Sequence, residues 1–134
     1  MPRAADAIPE LLGRLGTALS LVLAALLVWA VLTPWDDLAL IRRGNRAASI
    51  LLSGELVGFA LPVSVVLARD GSYGDLLLWG GVSIAAQAVL FTVIRLAEHD
   101  LARAVDADQT GPAVFAAALA VTTGLLAAGA LAGL

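Results

Sequence analysis

Four stretches of this chain, about Leu11 to Thr33, Ala47 to Ala68, Asp75 to Ala97 and Pro112 to Leu134, are long, apolar and nearly free of charge. About twenty apolar residues at 1.5 Å each cross a hydrocarbon core roughly 30 Å thick. Hydrocarbon offers no partner to a backbone N–H or carbonyl, so such segments must be helices that satisfy their own hydrogen bonds. The sequence therefore predicts an all-α integral membrane protein, a four-helix bundle in which residues 1–134 form a single transmembrane domain. Composition agrees, because 60% hydrophobic residues and a mean hydropathy of +0.94 lie well above the values of soluble domains. The first segment is too long for the apolar part of a secretion signal, and Trp29, Thr33, Pro34 and Trp35 stand where a small-residue cleavage site would be, so it reads as a retained helix. Residues Met1 to Glu10 read as a short extramembrane lead-in or surface helix.

A second pattern divides the chain. Asp36, Leu40, Ile41, Gly44, Asn45, Arg46, Ala47 and Ala48 are answered 64 positions further on by Asp100, Ala104, Val105, Asp108, Gln109, Thr110, Gly111 and Pro112. Each copy runs from an acidic residue through a short amphipathic stretch into a long apolar helix, as expected of two pseudo-repeated two-helix hairpins, about residues 11–68 and 75–134. Between them, Arg69 to Gly74 carries the Asp-Gly chemistry of a tight turn, which joins the second and third helices as an antiparallel pair.

Charge sets an expected orientation. All eight basic residues are arginine; five of them, Arg42, Arg43, Arg46, Arg95 and Arg103, flank the two duplicated loops, against Arg3, Arg14 and Arg69 at the other ends. Positive loops stay in the cytoplasm, so both termini are expected outside it. With no cysteine and a single histidine, His99, thiolate or histidine metal centres are not expected, and no cofactor is implied. A net charge of −3 provides no basic surface for nucleic acid. Asp100, Asp106 and Asp108 lack the spacing of a calcium loop and read as a solvated acidic loop. No serine accompanies His99 as a nucleophile, so the chain is expected not to be an enzyme.

A carboxylic acid and a carboxamide stand deep inside the apolar segments. Glu55 lies eight positions after Ala47, about 12 Å into the membrane, where an ionised carboxylate costs at least about 2.5 kcal/mol. Gln87, at similar depth in a helix running the opposite way, is its expected hydrogen-bond partner. The pair reads either as glue between helices or as an ion path. Thr122 and Thr123 are expected to bond their own helix backbone. Gly44 and Asn45 read as the turn leading into the second helix, with asparagine as its cap or the helix N-terminus holding an anion; Arg42, Arg43 and Arg46 would contact lipid phosphates. Small residues repeat every four positions at Ala116, Ala120, Gly124, Ala128 and Ala132, and again at Gly54 and Gly58, marking close helix packing within one subunit or between subunits. Pro62 interrupts the hydrogen bonding of the second helix.

Several of these residues resemble a known family, the YjfL-like small bacterial membrane proteins, defined by a domain of unknown function. The resemblance rests on Asp37, Leu40, Ile41 and Arg43 to Ala48, then Gly54, Gly58, Phe59, Ala60 and Leu61, then Trp79, and on a weaker second set at Asp108, Gln109 and Gly124 to Leu126. It covers about Trp29 to Ala128 and departs from the pattern at Gln109, Gly111 and Pro112. It implies tandem two-helix units, a setting of envelope stress or membrane maintenance, and a membrane-remodelling or flotillin-like partner, without catalytic residues. With that resemblance, the expectation is a non-enzymatic multi-pass protein of a bacterial inner membrane that self-associates through its small-residue stripes. The alternatives are a small oligomeric channel past Glu55 and Gln87, or an anchor that recruits a soluble partner to Arg42 and Arg43.

Overall fold

The computed structural model describes residues 3–69, 71–97 and 100–134, and these are almost entirely helical. The elements are α1 (Ala4–Leu32), α2 (Asp37–Arg42), α3 (Arg46–Leu67), α4 (Tyr73–Ala97), α5 (Leu101–Asp106) and α6 (Thr110–Ala132). Among them, α1, α3, α4 and α6 are long and apolar enough to cross a membrane. Asp70, Glu98 and His99, on which parts of the turn and catalytic readings fell, lie outside the described residues.

Boundaries differ from the sequence reading mainly at the start. α1 begins at Ala4 and runs unbroken through the expected lead-in, so its 29 residues extend about 43 Å, more than one bilayer core. Its first turns are exposed, and its buried stripe, Ala18, Leu21, Ala25 and Trp29, begins only further along.

α3 is the central element, packing on α6 most extensively and also on α4 and α1. The reason is the size of its residues. Without a hydrophobic drive between helices in lipid, association depends on close van der Waals approach. A Cβ placed on Gly54 would lie 2.5 Å from the Ala117 Cβ, and one on Gly58 would lie 2.6 Å from the Ala120 carbonyl oxygen. Ala116, Ala120, Gly124 and Ala128 are buried in this chain, together with Ala113 and Ala117, whereas Ala132 is exposed and Leu131 is buried in its place. Most of the stripe thus packs within the chain, against α3.

Arginines secure two helix ends. The last carbonyls of a helix lack intrahelical donors. Arg14 of α1 donates to the carbonyls of Leu67, Arg69 and Gly71 at the end of α3, and Arg95 of α4 donates to that of Leu32 at the end of α1. Guanidinium groups at helix C-termini also meet the negative end of the dipole.

Candidate functional site: braced turns and an intramembrane carboxyl

The two short helices end in the same way. Gly44 and Asp108 are in the left-handed region, at φ 84° and 56°. After α2, the N–H of Gly44 donates to Ile41 and that of Asn45 to Leu40; after α5, Asp108 donates to Val105 and Gln109 to Ala104. This is the Schellman ending, in which a left-handed residue lets its own N–H and that of the following residue recover orphaned carbonyls. Glycine takes that conformation without strain, and aspartate is among the few other residues that tolerate it. The helix that follows starts at once, at Arg46 or Thr110.

Side chains brace each turn against the other. Asn45 caps α3, its Oδ1 accepting from the Ala48 N–H at 2.8 Å, while its Nδ2 donates to the Val105 carbonyl, also at 2.8 Å. In return, Asp108 Oδ1 accepts from the N–H groups of Arg46 and Ala47 at 2.8 and 2.9 Å. The first N–H groups of α3 thus face a carboxylate and an amide oxygen supplied by the protein. Both turns therefore sit at one end of the bundle. Gln109, the counterpart of Asn45, makes no side-chain cap on α6. Arg42, Arg43, Arg46 and Arg103 are exposed around this end. The capping role of Asp108 escaped the sequence reading, although its alignment with Gly44 was the available signal.

A carboxylate between two indoles completes this end. Asp37 Oδ2 accepts from the Trp29 Nε1–H and its Oδ1 from the Trp35 Nε1–H, each at 2.8 Å. Trp29 is buried, tilted against Phe91 with ring centroids 4.3 Å apart and edge-on to Trp35 at 6.3 Å. Burial pushes the Asp37 carboxyl above its ordinary value of 3.8, opposed by the two indole hydrogen bonds and assisted by the neighbouring Asp36 charge. The acceptor that the two tryptophans share was missed in the sequence reading. Beside them a cleft of about 460 Å³ runs down α1 from Trp29 to Leu23, with Leu38 and Leu52 across it. At the opposite end, a cleft of about 350 Å³ lies among Glu10, Arg14, Arg69, Ser72, Asp75 and Trp79.

Glu55 and Gln87 are both in the interior, at 3% and 2% exposure. They do not pair. Gln87 Nε2 donates instead to the Gly58 carbonyl at 2.9 Å and more weakly to that of Ala120 at 3.4 Å. Pro62 explains the preference: it has no N–H, so the carbonyl four residues earlier, that of Gly58, lacks its helical donor. The amide supplies the missing bond and ties α4 to α3 and α6. Glu55 Oε2 is left buried without a hydrogen-bond partner. Neither residue lines the clefts above. Thr122 and Thr123 donate to the carbonyls four residues back, as expected. No cluster of three metal-ligating side chains occurs among the described residues.

Four membrane-crossing helices braced at one end by two interfacial turns define the class: a small multi-pass helical membrane protein. The chain belongs to the family of the domain of unknown function DUF350, which matches residues 4–131. It is similar to the inner membrane protein YjfL (UPF0719) of Escherichia coli K12, with 28% identity over 106 residues, 79% of this chain and 80% of the relative. The YjfL protein of Escherichia coli O157:H7 matches to the same extent. No solved structure matches. With these relatives and these helices, the chain is a multi-pass inner-membrane protein, as the sequence resemblance implied.

Proposed function

We propose that this chain is a non-enzymatic organising protein of the inner membrane, which self-associates in the bilayer and serves membrane maintenance under envelope stress. The observation that carries this reading is the closed interior: the α3–α6 contact is glycine-tight, and both intramembrane polar groups are sealed away from the clefts described. Such a bundle is a packed body in which neither Glu55 nor Gln87 opens on a cleft described above. The envelope-stress setting, and a membrane-remodelling or flotillin-like partner, rest on the family resemblance.

Self-association needs a different face from the one first expected, because the α3 and α6 stripes are engaged within the chain. Gly16, Ser20 and Ala24, four residues apart and all exposed on α1, offer a surface on which a second backbone approaches closely. Gly16→Leu with Ala24→Leu should convert the assembly to monomer in analytical ultracentrifugation in detergent. A monomeric wild type, or an assembly indifferent to both changes, refutes the self-association.

One observation favours a second reading, that of an oligomeric channel or transporter. Glu55 Oε2 has no partner, a costly arrangement in lipid unless the group serves an ion or proton. Ion flux in liposomes that Glu55→Gln abolishes would establish transport; absence of flux leaves the organising role.

A further inference from the structure

We infer that the cleft between α1 and α2 is a lipid-binding site selective for a phospholipid with a primary-ammonium headgroup, its ammonium held by Asp36 and Asp37 and an acyl chain laid along Leu23 and Leu27. The shape of the cleft requires an amphiphile. Its rim carries two carboxylates and two indoles, while the wall below is leucine and alanine only. From Ala30 down to Leu23 that wall extends about 10 Å, deeper than any headgroup and suited to a hydrocarbon chain. Leu23, Leu27 and Leu38 are 59%, 63% and 62% exposed, so the cleft opens sideways, towards acyl chains, and is not roofed by protein.

The sign of the headgroup follows from the rim. Asp36 is exposed and Asp37 only partly covered, and no arginine lines the cleft. An anionic headgroup would meet two negative charges, whereas an ammonium would offset them. Each Asp37 oxygen already accepts one indole N–H, yet a carboxylate oxygen has a second acceptor site, so the carboxylate can bind an ammonium without releasing either tryptophan. The two indoles thereby fix the carboxylate in advance. The phosphate of the same lipid would lie towards Arg42 and Arg43, exposed at the far end of the six-residue α2, so that α2 presents acid at its start and base at its end. A zwitterionic headgroup has the same polarity.

The site contains two of the three tryptophans, which provides the readout. In a Trp79→Phe background, reconstituted into phosphatidylglycerol vesicles, brominated phosphatidylethanolamine should quench the remaining emission with a relative association constant about tenfold above that of brominated phosphatidylglycerol. Brominated phosphatidylcholine, with no N–H to donate, should fall below the ethanolamine lipid. These comparisons change the lipid and leave the protein intact, so no folding defect mimics them. Asp36→Asn and Asp37→Asn should each weaken the preference and together erase it. Equal quenching by all three lipids, choline matching ethanolamine, or a preference that survives loss of both carboxylates would each overturn the assignment. Abolition of the preference by millimolar ethylamine in the buffer would overturn the lipid as occupant and point to a free amine.

Discussion

Gln87 shows how far a single side chain's role depends on a neighbour's covalent structure. Its presence in an apolar run marked it as consequential, but its partner is set by Pro62, which orphans the Gly58 carbonyl. Pairing by depth alone pointed to Glu55, because depth cannot register which carbonyl lacks a donor. Gln87→Leu should destabilise the bundle by about 1 kcal/mol, the usual scale for an interhelical hydrogen bond in a membrane protein. In a Pro62→Ala background the restored N–H supplies Gly58 from within α3, and the same change should then cost close to nothing. The double-mutant cycle, read by reversible unfolding in bicelles, isolates that coupling; additive losses would separate Gln87 from the proline. Asp37 makes a second prediction at this scale. Its pKa in the fold is raised above the ordinary 3.8 by burial, so the fold prefers the protonated form. Its contribution to stability is complete below the unfolded pKa and is lost as pH rises through the folded one. Melting temperatures of wild type and Asp37→Asn, compared from about pH 4 upward, should show the wild type losing ground as Asp37 ionises. A constant difference would mean that its ionisation is indifferent to folding.

At the level of elements, the two Schellman turns and their crossed caps are the most organised feature of the chain. The spacing between Gly44 and Asp108 was visible, as was Asn45 as a cap, since glycine and asparagine at a helix junction have local geometric meaning. What sequence could not reveal was the exchange between copies, where Asp108 caps α3 and Asn45 reaches Val105, because that depends on which turns meet in space. The small-residue stripes were legible for the same reason as the glycine turn: lipid leaves close packing as the means of association. Which helix each stripe faced was not legible, since every lipid-exposed surface of the bundle is equally apolar. Asn45→Ala and Asp108→Ala should each cost about 1 kcal/mol, within the usual range for a helix N-cap. Their effects should be less than additive, because both serve the same first turn of α3. Hydrogen exchange at Arg46 to Ala48 should accelerate in each variant; unchanged protection there would show that water replaces the caps freely.

For the molecule as a whole, the braces decide topology. Asn45 and Asp108 join the two turns at one end, so Arg43 and Arg103 must emerge on one side of the membrane and Ser72, after α3, on the other. The chain has no cysteine, so single Arg43→Cys, Arg103→Cys and Ser72→Cys variants can be labelled from either side without a background. The first two should react together and the third oppositely; reaction of Arg43→Cys and Arg103→Cys from opposite sides would break the fold described here. Which side is cytoplasmic rests on arginine alone. Five arginines flank the braced turns and three lie towards the other end, an excess of two. Arg42→Gln with Arg43→Gln removes that excess, so the double variant should insert as a mixture of both orientations while its hydrogen-bonded interior is untouched. Ser72→Cys, which leaves the arginine count unchanged, should then be labelled partly from each side. Retention of a single orientation after that change would mean that the positive-inside bias does not set the topology of this chain.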